Sequence, residues 1–128
     1  LMVFARMVSE RGDKDVTFVV LSTWVDRLRG LLGTRADADP VMLTRCGSIH
    51  TFGMRYSIDV AFVDEHGGVL RSARALVPRR LLSSPHAYCV FERPASEMPW
   101  FDEGDSAGVA AIIVPESDYI CEENGGVL

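Results

Sequence analysis

Residues 50–68 read His-Thr-Phe-Gly-Met-Arg-Tyr-Ser-Ile-Asp-Val-Ala-Phe-Val-Asp-Glu-His-Gly-Gly. They divide into a polar turn, a strand and a second turn. Strand side chains alternate between faces, so Ile58, Val60 and Phe62 share one side and Asp59, Ala61 and Val63 the other. Both sides are apolar except at Asp59. A carboxylate in such a strand is costly unless a cation or several N–H donors meet it. Arg55, Arg79, Arg80 and His50 are the candidate partners. His66-Gly67-Gly68 is hairpin-turn chemistry, and Val69–Leu76 follows as the return strand, ended by Pro78.

Further strands are expected over Leu1–Val8, Asp15–Leu21, Val41–Thr44, Ala87–Glu92 and Ala107–Val114, each rich in branched or aromatic residues and bounded by turn signals. Residues 46–53 read as irregular and polar, and residues 94–101 as a loop or short helix. One amphipathic helix is expected over about residues 23–32. Thr23 with Asp26 suits its N-terminus, and Trp24, Leu28, Leu31 and Leu32 form its apolar face, with Gly33 as the stop. Connections look too short for helical crossovers, so the strands should pair mainly antiparallel. The expectation is an α+β fold: a curled sheet or small β-barrel with the helix packed on it.

The 128 residues suit a single domain, 1–128, with an acidic, Gly-rich tail over 115–128. Hydrophobic residues make up 48% and charged residues 24%, the balance of a soluble globular domain. A net charge of −5 argues against nucleic acid as a partner. Cys46, Cys89 and Cys121 are odd in number and widely spaced, so buried reduced thiols are expected rather than a disulfide framework. No run reaches the roughly 20 apolar residues of a membrane span. A cytoplasmic location is the expectation, with export left open by a chain that starts at Leu1.

Several motifs stand in a recognisable order: Arg29-Gly30-Leu31-Leu32-Gly33, His50-Thr51-Phe52-Gly53-Met54, Ile58-Asp59-Val60-Ala61-Phe62-Val63-Asp64, Gly68-Val69, Pro78, Glu92, Ala95 and Gly104-Asp105. Over about residues 15–110 the chain resembles the bacterial and archaeal family called domain of unknown function 192. It departs after Glu92, where the family's Glu-Leu-x-Ala-Gly is Glu92-Arg93-Pro94-Ala95-Ser96. The resemblance implies a compact β-rich fold with one helix and no established activity.

The leading functional expectation is a binding or accessory module rather than an enzyme. Its polar pocket would draw on His50, Thr51, Met54, Arg55, Asp59, Arg80 and Glu92 and take a small molecule or a peptide. The alternative is a small hydrolase or transferase that uses His50 with Asp59 or Cys46. Cys46, His50 and Met54 have a spacing that could suit a soft metal, but nothing completes a ligand set, so neither metal nor cofactor is expected. A third reading has Trp100 and Phe101 exposed in their loop as a protein-binding patch.

Overall fold

The structure is a computed structural model and describes residues 2–115, except for the side chain of Trp24. The acidic tail beyond Pro115, with Cys121, and the expected core position of Trp24 therefore lie outside the described residues.

Among the described residues, nine strands and one helix follow in the order β1 (Phe4–Ser9), β2 (Asp15–Leu21), α1 (Trp24–Arg29), β3 (Val41–Thr44), β4 (Ser48–His50), β5 (Ile58–Val63), β6 (Val69–Leu76), β7 (Leu81–Ser83), β8 (Cys89–Pro94) and β9 (Ala107–Ile113). Seven of them form one sheet in the order β6-β5-β8-β3-β2-β1-β9, and β4 pairs with β7 in a separate ribbon. The expected β-rich fold is present, but the main sheet is mixed and is not closed into a barrel. Its outer strands meet only near one bridge, Gly68 with Ser106.

The departures from expectation have local causes. β2 and β3 run parallel, with Val19 beside Val41 and Leu21 beside Leu43. Residues 22–40, carrying α1 and a loop, are long enough for the crossover such a pair requires. The helix is shorter than expected. Thr23 caps it, accepting the Asp26 N–H at 3.2 Å, but Gly30 turns the chain at φ 51° and ψ −121°. Val25 and Leu28 on the helix are not packed on the sheet, being 59% and 61% exposed. Leu31, past the helix end, is the buried anchor. β4 and β7 were not anticipated; three residues are too few for alternation to register.

All six residues of β5 are buried. They divide two apolar clusters between the faces of the sheet. One holds Phe18, Met42, Ala61, Val63, Phe91, Trp100 and Phe101. The other holds Leu31, Val41, Leu43, Ile49, Ile58, Val60, Phe62 and Val90. Phe18 and Phe91 stack with ring centres 4.5 Å apart, and Phe101 meets Phe91 edge-on at 5.2 Å. Trp100 and Phe101 are 1% and 0% exposed. The expectation of a docking patch at these two residues is therefore corrected: the loop turns both rings into the core, where their apolar area is worth more than at the surface.

Gly67 makes the contact between the β5–β6 turn and β9. It has φ 90°, its carbonyl accepts the Ala107 N–H at 2.7 Å, and a Cβ added to it would fall 2.2 Å from the Ala107 carbonyl oxygen. Gly12 also has positive φ, 78°, but with nothing near its Cβ position. Gly67→Ala is expected to lower stability by about 2–3 kcal/mol, and Gly12→Ala by about 1 kcal/mol. Urea unfolding midpoints of the two variants check this; equal losses would mean that only backbone conformation matters and the close approach does not.

Candidate functional site

Asp59 is 1% exposed and fully partnered. Arg93 Nε donates to its Oδ2 at 2.9 Å, and the Ser96 N–H donates to the same oxygen at 3.3 Å. Arg74 Nε lies 3.3 Å from Oδ1. The Ala75 N–H completes the set at 2.9 Å. That last bond has a structural origin. The β5–β6 register shifts between Ile58 and Val60, and Ala75 takes φ 53°, as a bulge requires. The bulge frees a backbone N–H and Asp59 accepts it. Arg93 in turn donates to the Met98 and Pro99 carbonyls and lies 4.6 Å from the centre of the Trp100 ring. The cationic partners are thus Arg93 and Arg74, and not Arg55, Arg79, Arg80 or His50.

Glu92 belongs to the other face. It pairs across the strands with Val60 and Val41, while Asp59 pairs with Arg93. Paired residues share a face and neighbours in a strand do not, so the sheet itself separates the two carboxyls. Glu92 is 4% exposed, yet no side chain forms a hydrogen bond or ion pair with it among the described residues. Its Oε1 would be 2.9 Å from a Cβ on Gly30. The glycine that ends α1 therefore also lets the backbone pass close to the carboxyl. Burial pushes the Glu92 carboxyl up from its ordinary 4.5 to about 7, opposed only by the Leu31 backbone N–H.

Glu92 lines a cleft of about 370 Å³. The helix end contributes Arg27, Arg29, Gly30 and Leu31; the sheet contributes Leu43; the β4–β7 ribbon contributes Ile49, His50 and Leu81. Cys46 and Met54 also reach it. Of the residues read from sequence as a pocket, the cleft unites His50, Met54 and Glu92. Thr51 is fully buried in its turn, where its hydroxyl donates to the Val77 carbonyl at 2.8 Å and accepts the Arg80 N–H at 2.8 Å. Arg80 is exposed, with its guanidinium turned back to the Arg79 carbonyl at 3.3 Å. Arg55 lines a separate hollow with Thr34 and Tyr56. Asp59 is behind the sheet.

His50 is exposed, with its ring centre 5.9 Å from that of Phe52. Cys46 donates its thiol to the Ser48 carbonyl at 3.2 Å. No hydrogen bond links His50 to Cys46 or to Asp59 among the described residues. No three His, Cys, Asp or Glu side chains converge among them either. Arg27, Gly30 and Leu31 were not expected at this site. Gly30 within Arg29-Gly30-Leu31-Leu32-Gly33 was the available signal, read there only as a family motif.

No family model matches the chain, and no curated protein matches it. Solved structures do. A crystal structure of a "putative transcription regulator" from Sinorhizobium meliloti is similar with a TM-score of 0.70 and 20% identity, covering 86% of this chain and 95% of that one. A protein of unknown function from Novosphingobium aromaticivorans is similar with a TM-score of 0.66 and 16% identity, over 84% of each chain. At such identities the likeness is one of fold. No helix among the described residues is long and apolar enough to cross a membrane.

Proposed function

We propose that this chain is a small ligand-binding module of the domain of unknown function 192 type, and that its site is the Glu92 cleft. The observation that carries the reading is the Glu92 carboxyl, buried beneath a cleft and left without a side-chain partner. Buried acids in structural roles are paired, as Asp59 is. An acid that no side chain pairs, at the wall of a hollow, is stabilised by whatever hydrogen-bonds it there. The volume suits a small molecule or one side chain of a peptide. A cytoplasmic setting belongs to this reading; among the described residues Cys46 and Cys89 form no disulfide.

The hydrolase or transferase reading ranks second. Its support is that Cys46, His50 and Glu92 face one cleft. Against it, the Cys46 thiol is engaged by Ser48 and Asp59 is on the far side of β5.

Thermal-shift screening across sugars, organic acids, nucleotides and short peptides tests the proposal, with hits confirmed by calorimetry. A ligand at a hundredfold excess over its Kd adds about 2.7 kcal/mol, a rise of about 8–10 °C for a domain of this size. Glu92→Leu is expected to abolish that rise while leaving the chain folded. Hits that survive this substitution, or no hit at all, would overturn the site.

A further inference from the structure

The lining of the cleft is opposite in charge to the chain as a whole. The chain carries a net charge of −5, yet the cleft gathers Arg27, Arg29 and Arg45 around a single acid, Glu92. Arg29 and Arg45 are exposed, while Arg27 is part-buried. Arg27 is also held in place: its Nη1 donates to the Thr44 carbonyl at 3.2 Å and the Arg45 carbonyl at 2.9 Å. Both contacts are made by one nitrogen. The Nε of Arg27 is buried and has no hydrogen-bond partner among the described residues. A buried N–H without an acceptor is rare in folded proteins.

Two residues that line one hollow, Arg27 and Glu92, therefore each carry a polar group that no side chain meets among the described residues. Arg27 Nε lacks an acceptor, and its guanidinium is permanently charged. The Glu92 carboxyl, when protonated, offers one O–H donor and one carbonyl acceptor, which a hydroxyl matches in both directions. We propose that the cleft takes a small organic anion bearing a hydroxyl group, with the acid oxygens at Arg27 and the hydroxyl at Glu92. Arg29 and Arg45 steer the anion to the mouth and interact with it through solvent. A volume of about 370 Å³ matches a molecule of about a dozen non-hydrogen atoms, on the scale of roughly 30 Å³ for each water displaced. The walls at Leu31, Leu43 and Ile49 would cover its carbon skeleton.

This inference rests on the Glu92 cleft being the binding site, and the experiment separates the two. Calorimetry would compare gluconate and glycerate, as hydroxy-carboxylates, with glucose 6-phosphate and glycerol 3-phosphate, as phosphate monoesters. Glucose and glycerol are the neutral controls, and glucosamine is the cationic one. The expected result is that one anionic series binds at least tenfold more tightly than its neutral parent, and which series does so identifies the acid group. Arg27→Gln should weaken that binding at least tenfold. Arg29→Glu, at an exposed position where folding is not at stake, should weaken it severalfold and reduce its dependence on salt. Glucose or glucosamine binding as tightly as the anions, with Glu92→Leu still abolishing the signal, would overturn the anion assignment and leave the cleft standing. Binding of none of these molecules would overturn the assignment too. Anion binding that survives Glu92→Leu unchanged would overturn the cleft itself.

Discussion

Replacing Asp59 by Ala is expected to lower the unfolding free energy by about 3–5 kcal/mol, the range for breaking a buried ion pair from one side. That is a large share of the 5–15 kcal/mol typical of a whole domain. The reason is what the substitution leaves behind. Arg93, whose side chain is 7% exposed, would keep its charge with no anionic partner, left to the Met98 and Pro99 carbonyls and the Trp100 ring. The Ala75 N–H at the bulge and the Ser96 N–H would each lose an acceptor. Removing both charges removes most of the conflict. Asp59→Leu combined with Arg93→Met is expected to be more stable than Asp59→Ala alone, as apolar replacements of buried pairs commonly are. Urea unfolding of the two single variants and the pair gives the coupling energy directly. A loss below about 1 kcal/mol for Asp59→Ala would show that the carboxylate reaches water. Asp59→Asn, assayed where it is folded, should leave ligand binding at Glu92 unchanged, because β5 and β8 stand between the two groups.

How much of this could be read from residues alone depends on the range of the interaction. Alternation within Ile58–Val63 assigns each side chain to a face, and the two faces of β5 do bury two different clusters. The charge at Asp59 also announces that a partner must exist. It does not say which partner. Arg55, Arg79 and Arg80 were the expected cations, but β8 and β6 lie beside β5, and those strands deliver Arg93 and Arg74. Strand pairing is a contact between distant segments, which no local pattern encodes. Arg93 also follows Glu92 directly, and the pleat sends these two in opposite directions. Grouping Glu92 with Asp59 in one pocket overlooked that step. His50, Met54 and Glu92 were legible as polar or irregular positions; that the end of α1 folds over them was not. The parallel β2–β3 pair was missed because a helix ending at Gly30 leaves residues 31–40 free to complete the crossover.

Glu92 makes stability depend on pH in a direction opposite to most carboxylates. Its folded value, about 7, lies above the ordinary 4.5. The folded chain therefore holds a proton between these values that the unfolded chain has released, and stability falls as pH rises through this window. The contribution is fully present below about pH 4.5 and is gone once pH passes about 7. At about 1.4 kcal/mol per unit, the displacement from 4.5 to about 7 amounts to about 3 kcal/mol. Glu92→Gln keeps the shape and the hydrogen-bonding capacity but cannot ionise. It is expected to match the parent chain near pH 4.5 and to exceed it by about 3 kcal/mol at pH 8. The groups facing the cleft from α1, the β3–β4 loop and β4 are Arg27, Arg29, Arg45, Cys46 and His50. All are common to both proteins, so subtracting the two pH profiles isolates Glu92. A flat difference would mean the carboxyl ionises as it does in water, and a site built on a buried acid without a side-chain partner would lose its foundation. A difference that closes when ligand is added would instead show the ligand supplying the partner that this carboxyl lacks.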